Sequence, residues 1–168
     1  MPNREPWVNH KFNLGFDIGW TQNIMSRIKD TGIRIQHHTL GLTNERLSYK
    51  EGDKWSIKEH IGHLIDLEEL WSNRFLQFQI FVPELVHADM SNQLTDQANH
   101  NDKSIQTLSE EFNNERQKLI NTFHSLSDEA LNHQALHPRI KELMRPVDLL
   151  FFIAEHDDHH ITSISSLK

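Results

Sequence analysis

Apolar side chains recur along this chain at steps of three and four residues, and alternation at steps of two is scarce. That spacing is the period of helices with one buried face, so it points to an all-α fold. With 6 Gly and 5 Pro in 168 residues, few breakers interrupt it. Four long segments emerge. The first covers residues 16–40, with Ile24, Ile28, Thr31, Ile35, His38 and Leu42 on one face and Gly32 as a point where the helix can bend. Residues 41–55 connect, with a short helical turn at 44–47. The second segment starts at Ser56, where Ser56 and Glu59 read as a capping box, and it ends before Pro83. Residues 84–101 are polar and suit an irregular crossover with a short helix. The third segment covers 102–123, Ser127 caps a short helix over 128–133, and 134–144 connect. The fourth starts at Pro146, with Asp148 against the positive end of its dipole, and runs to 165. Four helices of about 20 residues predict a four-helix bundle. The length fits one domain over 1–168, with a short N-terminal extension at 1–13. The spacing leaves open whether the topology is simple up-down or a crossover.

Charge and residue usage exclude several function classes. Lys plus Arg is 17 and Asp plus Glu is 24, a net charge of −7, which argues against a nucleic-acid partner. No apolar run approaches the ~20 residues of a membrane span. The opening MPNREPWVNHKFNLGF lacks the apolar core of a signal peptide, so a cytoplasmic location is expected. There is no cysteine, which removes disulfides, thiolate zinc sites and cysteine nucleophiles. There are 13 histidines. A metal site in this chain is therefore built from His, Asp or Glu, and any thiol chemistry draws its sulfur from another molecule.

The sharpest signal is in the fourth helix. Leu149, Ile153, His156, His160, Ile164 and Leu167 form one stripe, so two histidines four residues apart sit inside an aliphatic seam. A lone core histidine is usually a hydrogen-bonded structural residue. Two on adjacent turns of one seam both need partners, and a shared cation satisfies both. A third ligand has to come from another helix. The second helix offers His60, deeper in its apolar arc, and His63, on its flank beside Leu67 and Leu70, and the helical wheel does not choose between them. Glu68 lies in the same arc. An ion pair with Arg74, Arg27 or a histidine is favoured there over a ligand role. Asp66 falls on the polar side and is expected to be solvated. Asp157 or Asp158 can orient a ligand imidazole. His10, His37, His87, His100, His124, His133 and His137 fall at ends or in loops and read as surface residues, with His38 at the core edge. Trp71, Phe75, Phe78 and Phe81 form a series long enough for an interface as well as a core. A di-iron bundle needs two Glu-x-x-His motifs, and only Glu84-Leu-Val-His87 is present.

Two stretches, WSIKEHIGHLIDLE at 55–68 and RPVDLLFFIAEHDDHH at 145–160, resemble the DinB/YfiT-like family of bacterial four-helix metalloproteins. The resemblance implies a crossover bundle, often a homodimer, with a divalent metal on one histidine of the second helix and an i,i+4 pair on the fourth. By position these are His63, His156 and His160. Zn or Ni is the expected metal. The family resemblance further implies either a transferase that uses a low-molecular-weight thiol as cosubstrate, or a metal-dependent hydrolase, acting on a small-molecule substrate. A non-catalytic metal- or ligand-binding bundle is the competing class. Glu68, His60 and His159 are the candidates for a catalytic group beside the metal.

Overall fold

The computed structural model describes residues 5–168, so the first four residues of the N-terminal extension lie outside it. Four long helices dominate: α1 (Thr21–Thr39), α3 (Ile57–Gln79), α5 (Ile105–His124) and α7 (Pro146–Ser166). Between them lie the short helices α2 (Asn44–Leu47), α4 (Gln93–Gln97) and α6 (Asp128–Asn132), and the two-residue strands β1 (Ala135–Leu136) and β2 (Leu143–Met144). The strands pair antiparallel, so the stretch expected to be a plain connection is a small hairpin. No helix among the described residues is long and apolar enough to cross a membrane.

The helix starts follow local chemistry. Ser56 Oγ accepts from Glu59 N at 3.1 Å, and Glu59 Oε2 accepts from Ser56 N at 2.8 Å, the reciprocal pair of a capping box. At the start of α7, Asp148 accepts from Arg145 N at 2.9 Å. Its other oxygen accepts from Gly15 N and Phe16 N, at 2.7 and 2.9 Å, which moors the N-terminal segment to α7. The first helix starts at Thr21, later than expected, after a 3-10 turn over Ile18–Trp20 in which the Asp17 side chain accepts from Gly19 N. The third starts at Ile105, because Ser104 is its N-cap and His100–Asp102 form a separate 3-10 turn. α1 is continuous through Gly32. A Cβ there would come within 2.2 Å of Asn113 Oδ1, so this glycine serves close approach to α5 rather than a bend.

α1 packs against α7 and α5, and α3 packs against α5 and α7. Chain-successive α1 and α3 therefore face each other across the bundle diagonal, as do α5 and α7. Both connections, residues 40–56 and 125–145, are crossovers. The long segment after α3 joins neighbours instead, and its spare length builds a wall of the site described below.

The core has two apolar layers. One centres on Ile28, Trp71, Phe75, Leu119 and Ile153, and the other on Ile35, Ile61, Phe112 and Ile161. Between them each long helix contributes a buried polar residue to one network: Thr31, Glu68, Arg116 and Asp157. The Arg116 guanidinium donates from Nε to Glu68 Oε1 at 2.8 Å, from Nη1 to Asp157 Oδ2 at 2.5 Å and Ile28 O at 3.1 Å, and from Nη2 to Asp157 Oδ1 at 3.0 Å. Nη2 also lies 2.6 Å from Glu68 Oε1, so every N–H of the guanidinium has a partner. Thr31 Oγ1 donates to Asp157 Oδ2 at 2.7 Å. Glu68 is thus ion-paired as expected, but with Arg116 rather than Arg74, Arg27 or a histidine. Asp157 is taken up by Thr31 and Arg116 in this layer and, among the described residues, orients no imidazole. Asp158 pairs with Arg27 and Arg34 at the surface. Trp71, Phe75 and Phe78 are core residues, and only Phe81 of that series is exposed.

Candidate metal centre

α3 and α7 are adjacent in the bundle, and their facing sides bring His63, His156 and His160 together. One ring nitrogen of each lies within 4.8 Å of the others, and all three residues are buried. His156 Nε2 and His160 Nε2 are 3.3 Å apart. Two nitrogens bound to one zinc ion at ~2.0–2.1 Å with tetrahedral angles lie ~3.4 Å apart, so the pair already has the spacing that a shared cation requires. Burial holds all three imidazoles in the neutral, ligating form. It pushes His63 down to about 4, only partly opposed by Asp66, and pushes His156 and His160 well below the usual histidine value, with the neighbouring histidines adding to the effect.

The remaining ring nitrogens are mostly committed to partners, which fixes how the rings are aimed. His63 Nδ1 donates to Thr95 Oγ1 at 3.0 Å, and Thr95 Oγ1 donates to Asp66 Oδ2 at 2.8 Å. His100 Nε2 donates to the same carboxylate oxygen at 2.9 Å. This chain leaves His63 Nε2 for a ligand. His160 Nδ1 shares a hydrogen bond of 2.9 Å with His60 Nδ1, which leaves His160 Nε2 for the centre and makes His60 an orienting neighbour. His156 Nδ1 is buried without a hydrogen-bond partner among the described residues. Trp55 lies over His63 at 4.7 Å between ring centroids, and Trp7 meets His156 edge-on at 5.0 Å.

Asp66 is therefore not a solvated surface group, and His100 and His137 are not surface residues. His100 is 2 % exposed because α3 offers it a seat at Gly62: a Cβ there would stand 2.2 Å from the His100 ring. His137 is equally buried, in the loop of the β1–β2 hairpin, and burial together with Arg74 and Arg139 pushes it down to about 3. The three histidines open onto a cavity of about 300 Å³. Its walls are Trp7 from the N-terminal segment, Trp55, Leu67, Trp71 and Arg74 near or on α3, residues 87–90 and Asn92 from the connection after α3, 137–139 from the hairpin, and Phe152 and His159 from α7. His159 lies on this wall, 5.6 Å from Trp7 between ring centroids, while Glu68 is held in the polar layer and does not line the cavity. Sequence reasoning named Arg74 only as an ion-pair partner for Glu68, and it missed Thr95, Arg139 and Trp7. No periodicity marks them, because Thr95 and Arg139 come from connections and Trp7 from the extension.

The family model of the DinB superfamily matches residues 28–164, most of the chain. The protein belongs to the DinB superfamily. Among solved structures, this DinB superfamily protein is similar to YfiT from Bacillus subtilis, described as a probable metal-dependent hydrolase with an unusual four-helix bundle topology. The two share 15 % identity over 94 % of this chain and 91 % of YfiT, with a TM-score of 0.79. It is also similar to a mycothiol-dependent maleylpyruvate isomerase, at 11 % identity and a TM-score of 0.67, over 86 % of this chain and 60 % of that one. At these identities the likeness is one of fold. No curated protein matches by sequence.

Proposed function

We propose that this protein is a divalent-metal-dependent enzyme in which His63, His156 and His160 hold Zn or Ni, and that it transfers a small-molecule thiol to an electrophilic substrate. The observation that carries the reading is the convergence of three buried, neutral imidazoles on a cavity large enough for a small molecule. A cation held by three imidazoles keeps a position open and supplies Lewis-acid stabilisation of an anionic sulfur there. Imidazole donors suit Zn and Ni. The absence of cysteine makes the thiol external.

Thiol rather than water is favoured by what lines the cavity. Among the described residues its only lining carboxylate is Asp89, an exposed residue whose Oδ1 is occupied by Ser91 N and Oγ. Among the described residues no carboxylate stands beside the three histidines as a strong general base. A thiol, with an ordinary pKa of ~8.5, needs far less help to ionise near neutral pH than water does at ~15.7. His159, on the wall beside His160, is the group in position to take the thiol proton. Trp7, Trp55, Trp71 and Phe152 give the cavity apolar walls against which a substrate can pack.

The test uses tag-free protein loaded with Zn or Ni, a panel of small thiols with 1-chloro-2,4-dinitrobenzene, and separate amide and ester substrates. Carbon–sulfur bond formation with release of chloride, lost on chelation and in the His156→Ala/His160→Ala variant, is the expected result. Metal-dependent hydrolysis without thiol would replace the transfer reading with a hydrolase. No metal-dependent turnover in either arm would leave a binding module. Thr95→Val, which removes the hydroxyl between His63 and Asp66 at nearly constant volume, is expected to weaken metal affinity about 10–100-fold, measured by competition with a chelating dye.

A further inference from the structure

The cavity beside the three histidines holds two arginines without a carboxylate between them. Arg74 is buried, and its donors go to neutral acceptors: Nε and Nη2 to Val86 O at 3.1 and 2.8 Å, and Nη1 to His137 Nε2 at 3.1 Å. Arg139 is held by aromatic faces, its Cζ 5.7 Å from the Trp7 ring centroid and 5.6 Å from that of Phe152. Its Nη2 is buried and has no hydrogen-bond partner among the described residues. Neither arginine has an ion pair there, although the chain carries 24 acidic residues. The contrast with Arg116 is informative. Where a buried guanidinium serves the core, this fold surrounds it with two carboxylates. Leaving a partly buried guanidinium without an anion is costly unless an anion arrives with a ligand.

We infer that Arg139, backed by Arg74, is an anion subsite of this cavity, and that the substrate is an organic acid whose carboxylate docks on Arg139 while its reacting carbon faces the three histidines. The planar guanidinium fork matches a carboxylate, and aromatic walls accept the apolar body of the same molecule. Two positive charges at the cavity draw anions toward a protein whose overall charge is negative. The side chain is already aligned by Trp7 and Phe152, so little ordering remains for binding to supply. The inference rests on reading the cavity as a substrate site, and the test separates it from the metal reading.

Benzoate and benzamide, equal in shape and different in charge, serve as probes. They are titrated into tag-free protein with and without bound metal and followed by tryptophan fluorescence and calorimetry. Benzoate is expected to bind at least about tenfold more tightly than benzamide in both forms. Arg139→Gln should bring benzoate to the benzamide level without changing benzamide, and Arg139→Lys should keep part of the preference. Equal affinities in the unmodified protein overturn the inference, as does a preference that survives Arg139→Gln. A preference that disappears with the metal puts the carboxylate on the ion, which overturns the subsite and leaves the metal reading intact. A preference that persists in protein unable to bind metal supports the subsite and defeats the metal reading.

Discussion

Arg116→Met should destabilise the bundle by about 3–5 kcal/mol, a large share of the ~5–15 kcal/mol that holds a domain together. Arg116 is the cation that pairs with both Glu68 and Asp157, and both carboxylates are 1 % exposed. Removing it leaves two buried anions facing each other with no route to water. Glu68 already stands near that limit. Burial pushes its carboxyl up to about 7 despite the Arg116 guanidinium beside it, and its Oε2 has no hydrogen-bond partner among the described residues. The cost belongs to the unpaired charges rather than to lost packing. Arg116→Met/Glu68→Leu/Asp157→Leu should therefore recover much of the loss, because an apolar layer of similar volume replaces the network whole. Urea unfolding of the single and triple variants checks this. A single variant within about 1 kcal/mol of the parent would contradict it.

The second large effect concerns the metal. A cation that binds only the folded chain at a thousandfold excess over its Kd contributes about 4 kcal/mol by mass action. Chelation of the loaded protein should lower Tm accordingly, and the His156→Ala/His160→Ala variant should show no response. Metal-free protein should also be acid-sensitive. In the unfolded chain His63, His137, His156 and His160 take up protons near pH 6.5, whereas in the fold His63 does so only near about 4 and His137 near about 3, and the other two well below the usual value. Between pH 6.5 and about 4 the unfolded state thus binds more protons, and stability falls as pH falls, with His63 alone accounting for about 2 kcal/mol at pH 5. Glu68 works in the opposite sense between its unfolded value and about 7, as one group against four. Thermal melts from pH 7 to 5 after chelation read the net slope. A Tm that rises toward pH 5 would contradict the sign.

Much of the fold was legible because its determinants are local. The step of three and four gave the long helices, Ser56 and Glu59 marked the start of α3, and Pro146 with Asp148 marked the start of α7. The His156/His160 pair stood out for the same reason, as two polar positions on an aliphatic stripe. What was hidden depends on pairing between distant elements. Arg116 lies in a run of polar residues, and nothing local shows that it faces Glu68 across 48 residues and Asp157 across 41. His63 and His60 differ by less than one turn, and their separation into a member of the cluster and its neighbour comes from the position of α7. His100 looked exposed because its burial depends on the missing Cβ of Gly62. Trp7, Thr95 and Arg139 come from segments without period, and only the tertiary fold brings those segments over one end of the α3–α7 pair.

The most direct test of the account is the metal content of tag-free protein, measured by mass spectrometry of the elements after incubation with Zn or Ni and removal of free ion. Close to one equivalent per chain is expected in the unmodified protein, little in His63→Ala, and none in His156→Ala/His160→Ala. A full equivalent retained by that double variant, or no metal taken up by the unmodified chain, would contradict it.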